Sequence, residues 1–237
     1  VSLENLIAVI GDIHGCLYTL KAMYSRIAAV TQNVYSVGDI IDRGNHISDT
    51  VRFFIDNNIF SVRGNHEDML LKAIEDYNSI FAKMHIGHSL ANYFRNGGNY
   101  TMKSYIDSDE PGKFDEFIEA ISSYGHLDYI KSFPLKREFE KVIITHAGII
   151  KGASEYNMLW NREIPSDLGK LQVYGHTPVS EPEICENRYL NLDTGCVYGR
   201  SLTGAIINTK TGEIIEILQE KLKKEDISDT LPRIFGL

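Results

Sequence analysis

The sequence predicts an α/β fold. Three observations carry that expectation. Apolar runs alternate with segments of helical spacing through the first 77 residues, and those runs stop abruptly at polar side chains beside glycine. A middle stretch at 78–133 shows helical segments without a strand pattern. Such alternation marks strands and helices layered on one another.

Taken in order, Leu6, Ile7, Ala8, Val9 and Ile10 form a continuous apolar run of buried-strand length. Residues 16–30 place Leu17, Leu20, Met23, Ile27 and Val30 at helical spacing. A second strand at 34–37 ends in Gly38-Asp39, and 48–57 reads as a helix. A third strand at 59–62 ends in Arg63-Gly64-Asn65-His66. Residues 67–77 are helical, with Met69, Leu70, Ala73 and Ile74 on the apolar side. Beyond them, NGGN at 96–99 and DEPGK at 109–113 break a helical insertion. Strands return at 141–145, 171–174 and 189–192, and 204–218 reads as a hairpin around NTKTGE.

The 237 residues, 43% of them hydrophobic, suffice for one large globular domain. A formal net charge of −8 argues against general affinity for nucleic acid or an anionic membrane, which needs a basic face. Cys16, Cys185 and Cys196 form no CxxC pair, which argues against a structural zinc site and fits a reducing compartment. No apolar stretch has bilayer length, and the N-terminal segment, with Glu4 early, lacks a cleavage-type pattern. A soluble, cytoplasmic protein is expected.

The strand ends carry the chemistry. Successive strands finish in GDIHG (11–15), GDIIDRG (38–44), GNHE (64–67), THAG (145–148) and YGHTP (174–178). Each has a bland reading alone: Asp12 as a helix N-cap, His146 as a hydrogen-bonded core histidine, Asn65 as a turn residue. The ordered set does not. Ligands of α/β sheets bind outside the carboxyl ends of strands, where glycines let backbone approach closely. Carboxylates, imidazoles and an amide, without thiolates, suit Mn, Fe or Zn. The set exceeds the needs of one ion, and a carboxylate such as Asp39 can bridge two.

GDIHG, GDIIDRG, GNHE, HAG and GHTP, in this order, resemble the phosphoprotein-phosphatase branch of the calcineurin-like metallophosphoesterases. RNGGNYT (95–101), LWNRE (159–163) and LDTGCVYG (192–199) resemble signatures of its bacterial and bacteriophage serine/threonine protein phosphatases. The resemblance implies a single domain over 1–237 in which two mixed sheets pack face to face with helices outside. A mostly helical insertion at about 78–134 would cap the site. It implies two divalent ions, Mn²⁺ first and Fe or Zn as alternatives. Asp12, His14 and Asp39 would hold one ion, and Asp39, Asn65, His146 and His176 the other. His66 would be the general acid with Asp42 orienting it, Arg43 and Arg162 would clamp the phosphate, and a metal-bridging hydroxide would be the nucleophile.

The chemistry agrees with those roles. A serine alkoxide is a poor leaving group and needs a proton donor. Guanidinium matches two phosphate oxygens, and two arginines with two metals make a cationic site in an acidic protein. The expected substrate is a phosphorylated protein or peptide. The alternatives are a dinucleoside polyphosphate such as diadenosine tetraphosphate, another nucleotide or RNA-end phosphate, or a non-enzymatic metal-dependent scaffold. Asp42 and LWNRE favour the protein phosphatase.

Other features are read more plainly. His85 and His88, and likewise His46 and His126, read as solvated helix positions rather than a third metal site. Cys16 reads as a small packed side chain. Gly97-Gly98 reads as a turn near the site entrance, and Tyr93, Phe94, Tyr100, Tyr105, Phe114 and Phe117 as the core of the cap.

Overall fold

The computed structural model describes residues 3–79 and 88–227. His85 lies outside them. The elements run β1 (Leu6–Ile10), α1 (Leu17–Ile27), β2 (Val34–Ser36), α2 (Ile47–Asp56), β3 (Phe60–Ser61) and α3 (Asn65–Asn78). The insertion follows as α4 (His88–Arg95), α5 (Gly98–Ile106), α6 (Phe114–Ser123) and α7 (His126–Lys131). Then come β4 (Lys136–Glu138), β5 (Val142–Thr145), α8 (Asn157–Trp160), β6 (Leu171–Tyr174), β7 (Glu183–Cys185), β8 (Tyr189–Asn191), β9 (Ser201–Asn208) and β10 (Ile214–Lys221).

The strands form two mixed sheets of five, ordered β10-β9-β1-β2-β3 and β4-β5-β6-β8-β7. In the first, β1, β2 and β3 run parallel, while β9 pairs antiparallel with β1. In the second, β5, β6 and β8 run parallel. Each sheet therefore delivers three parallel carboxyl ends.

Strand alternation builds two cores. Ile7 and Val9 of β1 join Val142, Ile144, Leu171, Val173, Leu190, Ala205 and Ile207 in the layer between the sheets. Leu6, Ala8 and Ile10 point the other way, into a larger core shared with α1, α2, α3 and the insertion. Burial on both faces is why β1 reads as continuously apolar. The aromatics of the insertion belong to this larger core: Tyr93, Phe114 and Phe117 are fully buried, and Phe94, Tyr100 and Tyr105 are partly buried against it.

Three elements depart from the sequence expectation. β4 reads Lys-Arg-Glu and is exposed throughout, and β7 is nearly so; both are edge strands, with no apolar face to bury. The short helix α8, which runs into LWNRE, has no helical pattern of its own in the sequence. His126 is buried rather than solvated, with its Nδ1 2.7 Å from the Tyr105 hydroxyl. His46 is half-buried, its Nε2 donating to the Glu225 carbonyl at 2.9 Å. His88 is exposed at the start of α4, and Cys16 is buried in the larger core. Among the described residues, no helix is long and apolar enough to cross a membrane.

Candidate active site

The turns after β1, β2, β3, β5 and β6 converge at one end of the paired sheets. Asp12, His14, Asp39, Asp42, Asn65, His66, His146 and His176 are all buried there. Asp39 stands at the centre. Its Oδ2 lies 3.6 Å from His14 Nε2, 3.4 Å from His146 Nε2 and 3.9 Å from His66 Nε2. Two clusters of metal-ligating type share it: Asp12, Asp39 and His146, and His14, Asp39 and His66.

The backbone that presents these groups is strained. His14, Asp39, Asp42, Arg43 and His176 all adopt left-handed φ values, between 48° and 72°. Such residues cost on the order of 1–3 kcal/mol each and persist only when their surroundings over-determine them. Glu67 supplies part of that restraint. Fully buried three residues into the Asn65 turn, its carboxylate accepts the N–H groups of Asp39 at 3.0 Å, Ile40 at 2.9 Å and Gly64 at 2.8 Å. It binds the second and third strand ends together.

Hydrogen bonds fix the histidine tautomers. His14 donates from Nδ1 to the Ile41 carbonyl at 2.7 Å, and His146 from Nδ1 to the Val37 carbonyl at 2.9 Å. Both Nε2 atoms therefore carry lone pairs aimed into the cluster. The His146 lone pair faces Asn65 Oδ1, a second acceptor, at 2.7 Å, and His176 Nδ1 lies 2.8 Å from the same oxygen. Acceptors turned on one another in a buried site ask for a cation.

Electrostatics makes the same demand. Burial, then the charges of Asp193 and Asp39, raises the Asp12 carboxyl well above its ordinary range. Burial raises Asp39 to about 7, opposed by Arg43. Burial lowers His146 to about 3 and holds His14 and His176 well below the usual imidazole range. Neutral imidazoles beside carboxylates that resist ionisation form a donor set which divalent ions would satisfy. Asp12, His14, Asp39, Asn65, His146 and His176 could hold them, and His66, grouped with His14 and Asp39, faces the same space.

His66 faces this cluster from the side. Its Nδ1 donates to Asp42 Oδ2 at 2.6 Å, leaving Nε2 turned toward Asp39. Burial, then the Arg43 charge, lowers its pKa well below the ordinary value. Burial raises Asp42, and a hydrogen bond from Thr101 opposes that. Arg43 places Nη1 2.7 Å from His14 Nε2, inside the cluster, and its guanidinium lies 5.5 Å from the Tyr198 ring centroid. Arg162 is exposed, and its charge adds to the lowering of His176.

Three residues of the site were not singled out from sequence. Asp193, buried just beyond β8, is raised to about 6 by its burial, and its Oδ1 accepts the Gly195 N–H at 3.0 Å. It follows the strand-end rule that found the others. Glu67 stood inside GNHE, at a helix-capping position. Thr101 stood inside RNGGNYT and reaches Asp42 only through the tertiary fold.

A family model described as calcineurin-like phosphoesterase matches residues 6–202. The chain is similar to the asymmetrical bis(5′-nucleosyl)-tetraphosphatase PrpE of Bacillus subtilis (strain 168), 26% identical, covering 83% of this chain and 88% of that protein. It is also similar to serine/threonine-protein phosphatase 2 of Salmonella typhimurium, 29% identical over 79% of this chain and 86% of that one. A solved metallophosphoesterase from Sphaerobacter thermophilus shares the fold, with a TM-score of 0.56 and 16% identity over 92% of this chain and 89% of that one. A family match across most of the chain, joined to a buried cluster built for cations, leaves one conclusion: this protein belongs to the calcineurin-like phosphoesterases.

Proposed function

We propose that the chain hydrolyses phosphate monoesters whose leaving oxygen needs a proton, phosphoserine and phosphothreonine in proteins among them. One observation carries this reading: His66 is held by Asp42 at 2.6 Å with its free Nε2 turned toward Asp39, the residue common to both ligand clusters. A phosphate seated there would bring its ester oxygen to an imidazole whose other nitrogen is already fixed. Its negative charge would also raise the proton affinity of that imidazole, against the lowering by burial. Arg43 and Arg162 would grip the non-bridging oxygens. When bound, two divalent cations would lower the pKa of a water and offset the charge of the phosphate. Mn²⁺ belongs to this reading, because the donors mix carboxylates with imidazoles. The three unbridged cysteines support a reducing, cytoplasmic setting.

A second reading rests on the similarity to the Bacillus subtilis tetraphosphatase: asymmetrical hydrolysis of bis(5′-nucleosyl) tetraphosphates. A phosphate leaving group needs protonation less than an alkoxide, so the His66–Asp42 pair favours the monoester. The test compares kcat/KM on phosphoserine and phosphothreonine peptides with that on diadenosine tetraphosphate. The peptides are expected to win; a tenfold advantage for the dinucleotide would replace the first reading with the second.

A further inference from the structure

The helical insertion reaches into the His66–Asp42 pair. Asp42 is fully buried, and His66 occupies only its Oδ2. Its Oδ1 accepts the hydroxyl of Thr101, on α5. The same hydroxyl oxygen accepts the backbone N–H of Asp42 at 3.0 Å. One side chain from 59 residues away thus holds Asp42 at two points. The neighbouring Arg43 N–H donates to the Gly97 carbonyl at 3.3 Å. Asp42 and Arg43 both sit in the left-handed region, at φ 68° and 69°, so this turn depends on outside contacts to keep its shape.

The α4–α5 turn is built to make that approach. Tyr93 of α4 is fully buried, and a Cβ on Gly98 would come within 2.4 Å of its ring. Glycine there lets α5 start directly over the aromatic ring and bring Thr101 down onto Asp42. Thr101 is itself fully buried. The segment 95–101, whose Gly97-Gly98 reads from sequence as a turn near the site entrance, therefore also supports the turn beneath it.

We infer that Thr101 is a positioning residue, acting through Asp42 to aim His66 at the leaving oxygen, and that the insertion thereby tunes proton donation. The inference rests on the reading in which His66 protonates the leaving group. Threonine suits the task because its hydroxyl can accept the Asp42 N–H and donate to the Asp42 carboxylate at once.

The experiment measures kcat and KM for Thr101→Val, Thr101→Ser and His66→Asn on monoesters running from p-nitrophenyl through phenyl to alkyl phosphate. Folding is checked by circular dichroism and metal content by elemental analysis. Thr101→Val should lose roughly 10- to 100-fold in kcat on the alkyl ester, a fraction of a whole general acid's worth. It should stay within about threefold of wild type on p-nitrophenyl phosphate, which needs little protonation. KM should hold, and Thr101→Ser should recover most of the loss. If Thr101→Val does not fold, Thr101→Ala is read in the same way. An equal loss on every ester, or no loss on any, overturns the role of Thr101. The His66→Asn series separates that failure from a failure of the parent reading. A leaving-group-dependent loss in His66→Asn keeps the proton donor in place whatever Thr101 does. A uniform loss there, or a wild-type protein inactive on alkyl phosphates, overturns both.

Discussion

At Gly175, between β6 and His176, a turn of one sheet packs closely against a ligand carried by the other. A Cβ at this position would lie 2.0 Å from Asp12 Oδ1 and 2.9 Å from Val37 Cγ2. Contacts under 3.0 Å are essentially unknown for real Cβ atoms, so Gly175→Ala forces the carboxylate back by at least 3.0 − 2.0 = 1.0 Å. The same carboxylate accepts the His176 N–H at 3.2 Å, a bond between the two sheets that the shift would break. Asp12 can swing aside, so overpacking should cost only about 1–3 kcal/mol of stability. A misplacement of about 1 Å can cost ~10²-fold in rate. Gly175→Ala should therefore remain folded, with kcat/KM on p-nitrophenyl phosphate down roughly 100-fold and Mn²⁺ affinity weakened. Gly112→Ala, where a Cβ meets nothing within 4 Å, is the control. Calorimetric metal titration and steady-state kinetics decide. Wild-type affinity together with kcat/KM within about threefold of wild type would refute the steric reasoning.

Three further outcomes are expected. Exhaustive chelation should abolish activity, with Mn²⁺ restoring it better than Mg²⁺; activity in verified metal-free protein would contradict the cation demand of the cluster. Because Asp39 is raised from 3.8 to about 7, the metal-free fold holds a proton that the unfolded chain has released between those values. Metal-free stability should therefore fall as pH rises through that window, while metal affinity climbs to about pH 7 and levels off; an affinity that is flat from pH 5 to 8 by calorimetry would count against it. Asp226→Ala should cost about 1–2 kcal/mol in urea denaturation, since Asp226 accepts the Tyr18 N–H at 3.0 Å and the Thr19 N–H at 2.7 Å at the start of α1; an unchanged midpoint would refute the cap.

What the sequence disclosed follows from which forces leave a local trace. The parallel strands were most legible where burial on both faces demands uninterrupted apolar residues, as in β1 and in Val142–Ile144 of β5. Their ends were legible because polar ligands beside glycine break such runs. β4 and β7 left no trace, because both are exposed almost throughout and so bury no apolar face that would mark them. The left-handed His14, Asp39 and His176 could not be foreseen, since strain is imposed by tertiary contacts and not by residue type. Thr101 was hidden for the same reason: nothing within its own segment points to Asp42.

The strand order also bears on how the chain matures during synthesis. β1 precedes the other described strands yet lies in mid-sheet, its far side paired with β9, Ile10 against Gly204. Until the ribosome has released β9, β1 presents a bare row of amides on an entirely apolar strand. That is a template for pairing with another nascent chain. The Gly11 N–H also waits, since its partner is the Thr203 carbonyl at 2.9 Å. The turn bearing Asp12 and His14 thus lacks this backbone bond until β9 has been made. Holding the apolar edge through that interval is a natural task for a chaperone, and truncation before β9 should yield aggregates in place of a smaller enzyme.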